Sequence, residues 1–413
     1  MRNFYKLALT TGLISIMASS AALADCGASP GSVRILANDF DALRVVMNGA
    51  LECASDTTKV TVNQTEQHKE IQVPALTISP AEYTVAVIAN NSIVPLMSAD
   101  LIQPMDELIA KYGQNLTDAQ LVRIDGKVMA IAMFANGQHL FYRTDILEEA
   151  GLEPPKTYEE VIEAAKVIKE KGLMEHPFGA ADKAGWDLAA EFVNMYLGYG
   201  GQLFEPGTAN LAIDSEAGEK TLALMRELTQ YMAPDYMTVD SVELRHRWEG
   251  GEIALMTHWG SLAGTMMDPN AGFPEVAENT AIAAAPTVGG GSVPAAALWW
   301  DGFSIAKNIS AEDAEASFQV MMHAIRPEVA QENPNAAVWL LKDYEPGASA
   351  EGVFANAQGG AASYPMNPTM GLLHNALSLE LADFMEGRED AAQAIADITA
   401  AYEASAREGG YLQ

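Results

Sequence analysis

Positive charge is scarce in this sequence. Its 413 residues carry 24 Lys and Arg against 55 Asp and Glu, a formal net charge of −31. Nucleic acid and anionic membrane surfaces would be repelled by such an excess, so neither is expected as a partner. The acids are scattered, and hydrophobic residues make up 49% of the chain. There is enough apolar material for a core, which excludes a disordered acidic tail. Cysteine is scarcer still, with Cys26 and Cys53 alone. The 7 histidines are dispersed, and neither a Cys/His cluster, a Walker A loop nor a zinc-helix spacing occurs. No metal and no cofactor are therefore expected. Gly27-Ala-Ser-Pro-Gly31 matches G-x-S-x-G as text, but no strand precedes it to build a nucleophile elbow, so no catalytic residue is assigned. Long apolar runs are missing too. Leu7–Met17 is too short to span a bilayer, and no later stretch is longer and as apolar.

What is present begins with export. Arg2 and Lys6 precede Leu7–Met17, and Ala22-Leu23-Ala24 ends the stretch. Residues 1–24 thus read as a secretory signal peptide. Asp25 stands just before Cys26, where lipoprotein processing wants a small residue, so a soluble periplasmic protein is expected. In an oxidising compartment the two cysteines are expected to form one disulfide, tying the mature N-terminus to the end of the first helix.

Short apolar strands alternate with helical patterns, which indicates an α/β fold. Val33–Ala37, Val60–Asn63 and Tyr83–Ala89 read as strands, and Phe40–Leu51 as a helix. Thr157 with Glu160 forms a capping box, and Gly172 stops the helix that follows. Helices are also expected at Ala217–Met232, Ala311–Ile325 and Asp390–Ser405. Thr287–Pro294, with its triple glycine, reads as a flexible connector.

Gly126–Gly172 carries the most specific signal. Gly126-Lys127, Leu140-Phe-Tyr-Arg-Thr-Asp-Ile146 and Ala150-Gly-Leu-Glu-Pro-Pro-Lys-Thr-Tyr-Glu-Glu160 occur in order. Phe178-Gly179, Trp186, Asp214-Ser215 and the segments 248–260, 302–314, 364–377 and 385–395 follow. Together these strongly resemble the extracellular solute-binding proteins of ABC importers, in the carbohydrate-binding family that includes the maltose-binding proteins. The resemblance implies two α/β lobes joined by crossing strands, with a ligand held in the cleft between them. It places residues 25–134 and 296–345 in one lobe, and 135–295 and 346–413 in the other. The partners it implies are a carbohydrate or polyol and the membrane permease subunits of an importer, with the protein itself a monomer.

A sugar site needs aromatic rings for C–H faces and amide or carboxyl groups for hydroxyls. Asn38 and Asp39 follow the first strand, where α/β sheets place ligand groups. Asn90 and Asn91 follow the third. Asn136 matches the hinge-strand position that is a ligand-binding Glu in some relatives. Trp186 and Trp259 are the stacking candidates, and Tyr364 and Asn367 lie in the motif that borders the cleft in relatives. His258 reads as structural. Within Ala297–Ile305, two of the 6 tryptophans stand side by side. Strand alternation puts Trp299 and Asp301 on one face and Trp300 on the other. Trp300 is expected to face the cleft, with Asp301 as the alternative and Trp299 as the packing residue. Arg245 leaves room for an anionic sugar derivative. A chemotaxis receptor's ligand carrier would read the same way. A secreted carbohydrate-active enzyme is the rival from another class; it would need two carboxylates about 5–10 Å apart, for which Asp39 and Asp301 are the candidates.

Overall fold

The computed structural model describes residues 26–413; the expected signal peptide lies outside them. The apolar segments form eleven strands: β1 (Gly31–Ala37), β2 (Thr58–Gln64), β3 (Val85–Ala89), β4 (Leu121–Ile124), β5 (Lys127–Arg143), β6 (Phe178–Gly179), β7 (Leu255–Trp259), β8 (Thr280–Ala283), β9 (Ala297–Ile305), β10 (Val338–Trp339) and β11 (Ala362–Ser363). They hydrogen-bond in the order β2-β1-β3-β9-β5-β7-β6, with β4, β8 and β10 on β5 and β11 on β9. The parallel β1–β2 and β1–β3 pairs need helical crossovers, which the strand–helix alternation supplies.

β5 explains why the fold has two lobes. At 17 residues it is too long for one core. Its first half pairs with β4 and β9, and its second half with β7 and β8. The first lobe has a core on each face of its sheet. Phe303 and Ile305 pack with Val33, Ile35 and the Asp41–Leu51 and Ala311–Ala324 helices on one face. Ala86 and Ile88 pack with the His68–Thr77 and Ile93–Ser98 helices on the other. The second lobe's main core gathers Leu140, Leu255 and Trp299 with six helices, among them Trp186–Gly198 and Pro368–Met385.

The β5–β9 register slips between Ala132 and Phe134, so one extra residue of β5 opposes β9 where the lobes meet. Such a bulge bends the strand and raises its twist. Gly302 faces this bend. A Cβ there would run into the Ile131 carbonyl oxygen and sit 2.9 Å from Ala132 Cα, so only glycine lets the strands approach.

Local signals are realised at the side-chain level. Thr157 Oγ1 accepts from Glu160 N at 3.1 Å, while the Glu160 carboxylate accepts from Thr157 N. Cys26 and Cys53 are joined in a disulfide, with Cys53 just beyond the first helix. The 287–294 segment differs from expectation. Thr287 exchanges backbone hydrogen bonds with Lys156 and Tyr158, and Gly289 N donates to Glu159, so the segment is fastened to the capped helix. Among the described residues no helix is long and apolar enough to cross a membrane.

Candidate functional site

Aromatic residues from three separate segments of the second lobe meet β9 at the interlobe cleft. Trp186 opens its helix after Gly185, whose φ of 117° suits glycine. Trp259 ends β7. Their rings stack at 6.2 Å, and each lies 6.0 Å from Trp299. Tyr364 stacks on Trp299 at 3.9 Å. Trp299 and Tyr364 are buried, whereas Trp186 keeps 39% of its surface exposed and forms the wet face of the cluster.

His374 fixes the position of Trp186. Its Nε2 lies 3.1 Å from the Trp186 carbonyl, which can only accept, so Nε2 carries the proton. Burial pushes its pKa down to about 4, leaving a neutral ring. Nδ1 is then the acceptor for the Tyr364 hydroxyl at 3.0 Å. Tyr364, His374 and Trp186 thereby hold one another in place.

The face of β9 decides the fate of the tryptophan pair. Phe303 reaches the first lobe's core and Trp299 the second's. Asp301, between them on the same face, falls in the gap between the cores. Burial raises its pKa to about 7, opposed by the charge of Lys69. Trp300 faces the opposite way and packs on the apolar cluster of the His68–Thr77 and Ile93–Ser98 helices. The ring expected to face the cleft lies, half-buried, against these helices. Trp299 joins the aromatic cluster instead.

Lys69 had no signal in the sequence. A lysine in the first turn of a polar helix looks like solvated surface. Here it reaches from the first lobe across to the second, with Nζ 5.7 Å from the Trp186 ring centroid. Solvent still reaches it, but surrounding protein lowers its pKa, an effect that Asp301 opposes.

The amides have mixed fates. Asn90 is fully buried. Its Oδ1 accepts from Trp300 N at 2.8 Å and its Nδ2 donates to the Tyr364 and Leu298 carbonyls. These bonds hold its amide against β9 and the Tyr364 segment. Asn136 is held by the loop after β7, accepting from Ser261 N at 3.1 Å and donating to Ser261 Oγ at 3.2 Å. Asn38 Oδ1 accepts from Asp39 N, and Asp39 pairs with Arg44 at 2.7 Å, so neither caps the helix beside it. Arg245 pairs with Glu249 at 3.6 Å, on its own helix.

Asn91 and Asn367 line a different part of the interface. A groove of about 530 Å³ runs between the Ile93–Ser98 helix and the start of the Pro368–Met385 helix, with Tyr364, Asn375 and Met370 also in its wall. Asn91 Oδ1 has no hydrogen-bond partner there among the described residues. Asn367 Oδ1 caps the helix by accepting from Thr369 N. A smaller cavity of about 290 Å³, lined by Met174, Phe178, Tyr236 and Arg247, lies within the second lobe and shares no residue with this groove.

Behind Trp186 lies a buried acidic group. Burial raises Asp182 to about 7 and Asp187 to about 6, and pushes Glu191 well above the carboxylate range. Both Glu191 oxygens lack hydrogen-bond partners among the described residues. His139 and His258, paired across β5 and β7, are fully buried, and burial pushes them down to about 4 and about 3. Among the described residues, the His/Cys/Asp/Glu group whose ligand atoms approach within 4.8 Å is Cys26, Cys53 and His323. Its sulfurs are consumed by the disulfide.

The sequence profile of bacterial extracellular solute-binding proteins matches residues 57–330. A 195-residue stretch is 27% identical to a probable ABC transporter-binding protein of Deinococcus radiodurans, covering 45% of this chain and 44% of that one. The chain thus matches less than half the length of the curated relatives found. Maltose-bound MalE3 of T. maritima covers 90% of this chain and 99% of its own, with a TM-score of 0.76 and 17% identity. A solute-binding protein of Agrobacterium radiobacter K84 in complex with ribitol covers 90% and 97%, with a TM-score of 0.76 and 18% identity. At these identities the likeness is one of fold.

Proposed function

Because this chain belongs to the bacterial extracellular solute-binding proteins, we propose that it captures a sugar, oligosaccharide or polyol between its lobes and delivers it to the membrane permease of an ABC importer. The observation that carries this reading is the Trp186–Trp259–Trp299 cluster, set beside polar groups without partners where the lobes meet. The C–H face of a sugar packs on indole, and its hydroxyls need groups that both donate and accept. Maltose and ribitol, the ligands of the two solved structures, are of that chemical kind.

The mechanism is closure. Ligand seated on the second lobe's rings is met by Lys69 from the first lobe, which adds a contact available only when the lobes are together. Binding free energy then favours the closed form, and the permease reads that shape. A signal peptide at residues 1–24 fits delivery to the periplasm, and a monomer suffices for the role. The family and fold are those of binding proteins.

A thermal-shift screen with ribitol, D-mannitol, maltose and D-tagatose tests the reading. A bound ligand at a hundredfold excess over its Kd adds about 2.7 kcal/mol of stability. Absence of a shift with every carbohydrate and polyol would overturn it.

A further inference from the structure

Cys26, Cys53 and His323 reach one spot in the first lobe from three separate segments. Cys26 precedes β1, Cys53 lies just past the Asp41–Leu51 helix, and His323 is in the last turn of the Ala311–Ala324 helix. The two sulfurs and one imidazole nitrogen all lie within 4.8 Å of one another. A tetrahedral zinc, with Zn–S of about 2.3 Å and Zn–N of about 2.0 Å, needs its ligand atoms about 3.5–4 Å apart. The three groups thus already converge on a point of the right size. The Glu52 carboxylate stands 3.0 Å from His323 Nε2, and such a contact typically orients a zinc-bound imidazole. Arg326 pairs with the same carboxylate at 3.1 Å. Cys53 is buried, whereas Cys26 and His323 are half-buried, so solvent reaches the edge of the group.

We propose that these residues form a redox-gated zinc site. When the disulfide is reduced, Cys26 and Cys53 bind Zn2+ as thiolates together with His323, and water takes the fourth position. In the oxidised chain the sulfurs are bonded to each other and hold no metal. The exchange balances with a dithiol as reductant. Its two electrons break the S–S bond, it becomes a disulfide, and its two protons pass to Cys26 and Cys53. Zinc displaces those two protons as it binds. Two thiolates neutralise the ion and Arg326 balances Glu52, so the filled site carries no net charge. Thiolate and imidazole ligands also select zinc over magnesium and calcium, which take oxygen ligands. The metal joins the segments that the disulfide joins, and adds the Ala311–Ala324 helix to them. The N-terminal segment therefore stays fastened under reducing conditions.

Zinc chloride titrated against a chromophoric chelator tests this on the full chain, free of any affinity tag. Oxidised and phosphine-reduced wild type are compared with reduced His323→Gln and with the Cys26→Ser/Cys53→Ser double variant, and circular dichroism checks that each is folded. Reduced wild type should bind one zinc per chain, and oxidised wild type and the double variant none at that affinity. His323→Gln should weaken binding by about tenfold or more. Zinc should raise the melting temperature of reduced wild type, and a chelator should reverse the rise. Cobalt in place of zinc should give a thiolate-to-metal charge-transfer absorption in the reduced wild type alone among the wild-type forms. Zinc bound no more tightly by reduced wild type than by the double variant overturns the site. Affinity unchanged in His323→Gln overturns it too, because a loose cysteine pair would then account for the binding.

Discussion

Asp301→Asn should make the ligand-free protein more stable at pH 8. The Asp301 carboxyl is carried from 3.8 to about 7 in the folded chain, mainly by burial. Between these values the unfolded chain has released the proton and the folded chain keeps it, so rising pH favours unfolding. The contribution of the group is complete below about pH 4 and is lost as pH climbs to about 7. A carboxyl raised that far costs the ionised form about 4 kcal/mol. Solvent reaching the half-buried group screens part of this, so a net gain of about 1–3 kcal/mol is expected for the variant at pH 8. Asn keeps the shape and removes the charge. The other titratable groups near this site are Lys69 and His374; losing the Asp301 charge lowers Lys69 further, which subtracts from the gain. His374, at about 4, stays neutral through the upper part of the window. Urea denaturation at pH 5 and pH 8 measures the effect, and the difference between variant and wild type isolates Asp301 from Asp182, Asp187 and Glu191. That difference should grow as pH rises. A variant equal to wild type at pH 5 and less stable at pH 8 would refute the argument, because it would mean that Asp301 is paired in the folded state.

Trp186→Ala should abolish the ligand-dependent thermal shift while costing the free protein no more than about 1–2 kcal/mol, since the ring is partly exposed; an unchanged shift removes Trp186 from the site. Gly302→Ala should destabilise by about 1–3 kcal/mol in urea, because a Cβ has no room against β5 at the bend. Reducing the disulfide, or Cys26→Ser with Cys53→Ser, should lower stability by about 3–4 kcal/mol for a separation of 27 residues. A melting temperature unmoved by reductant would show that the N-terminal segment is held by other contacts.

The sequence made the frame legible where local chemistry fixes the answer. The Thr157–Glu160 capping box, the β9 strand and the alternation that pairs Trp299 with Asp301 all follow from spacing alone. Orientation was a different matter. Which face of β9 is wet depends on helices that arrive from distant parts of the chain. Two of them, Ile93–Ser98 and His68–Thr77, pack against Trp300. Lys69 was invisible for the same reason, since its importance comes from Trp186, 117 residues further along. Asn90 reads as a ligand group because a strand end usually offers one. Its amide bonds the backbones of Trp300, Leu298 and Tyr364, and no sequence pattern marks that use. The glycine-rich connector read as loose from composition, yet Thr287 and Gly289 fasten it to a helix over 100 residues away.

Half of the protein's 6 tryptophans stand within about 6 Å of one another at the point where the lobes meet. Indoles at that spacing share their excited states, so their emission and near-ultraviolet dichroism belong to the trio rather than to any one ring. On the proposed reading, a solute settling against Trp186 changes the polarity at the exposed edge of the trio. The cleft then carries its own optical reporter, and capture is timed by stopped flow without a dye or a tag.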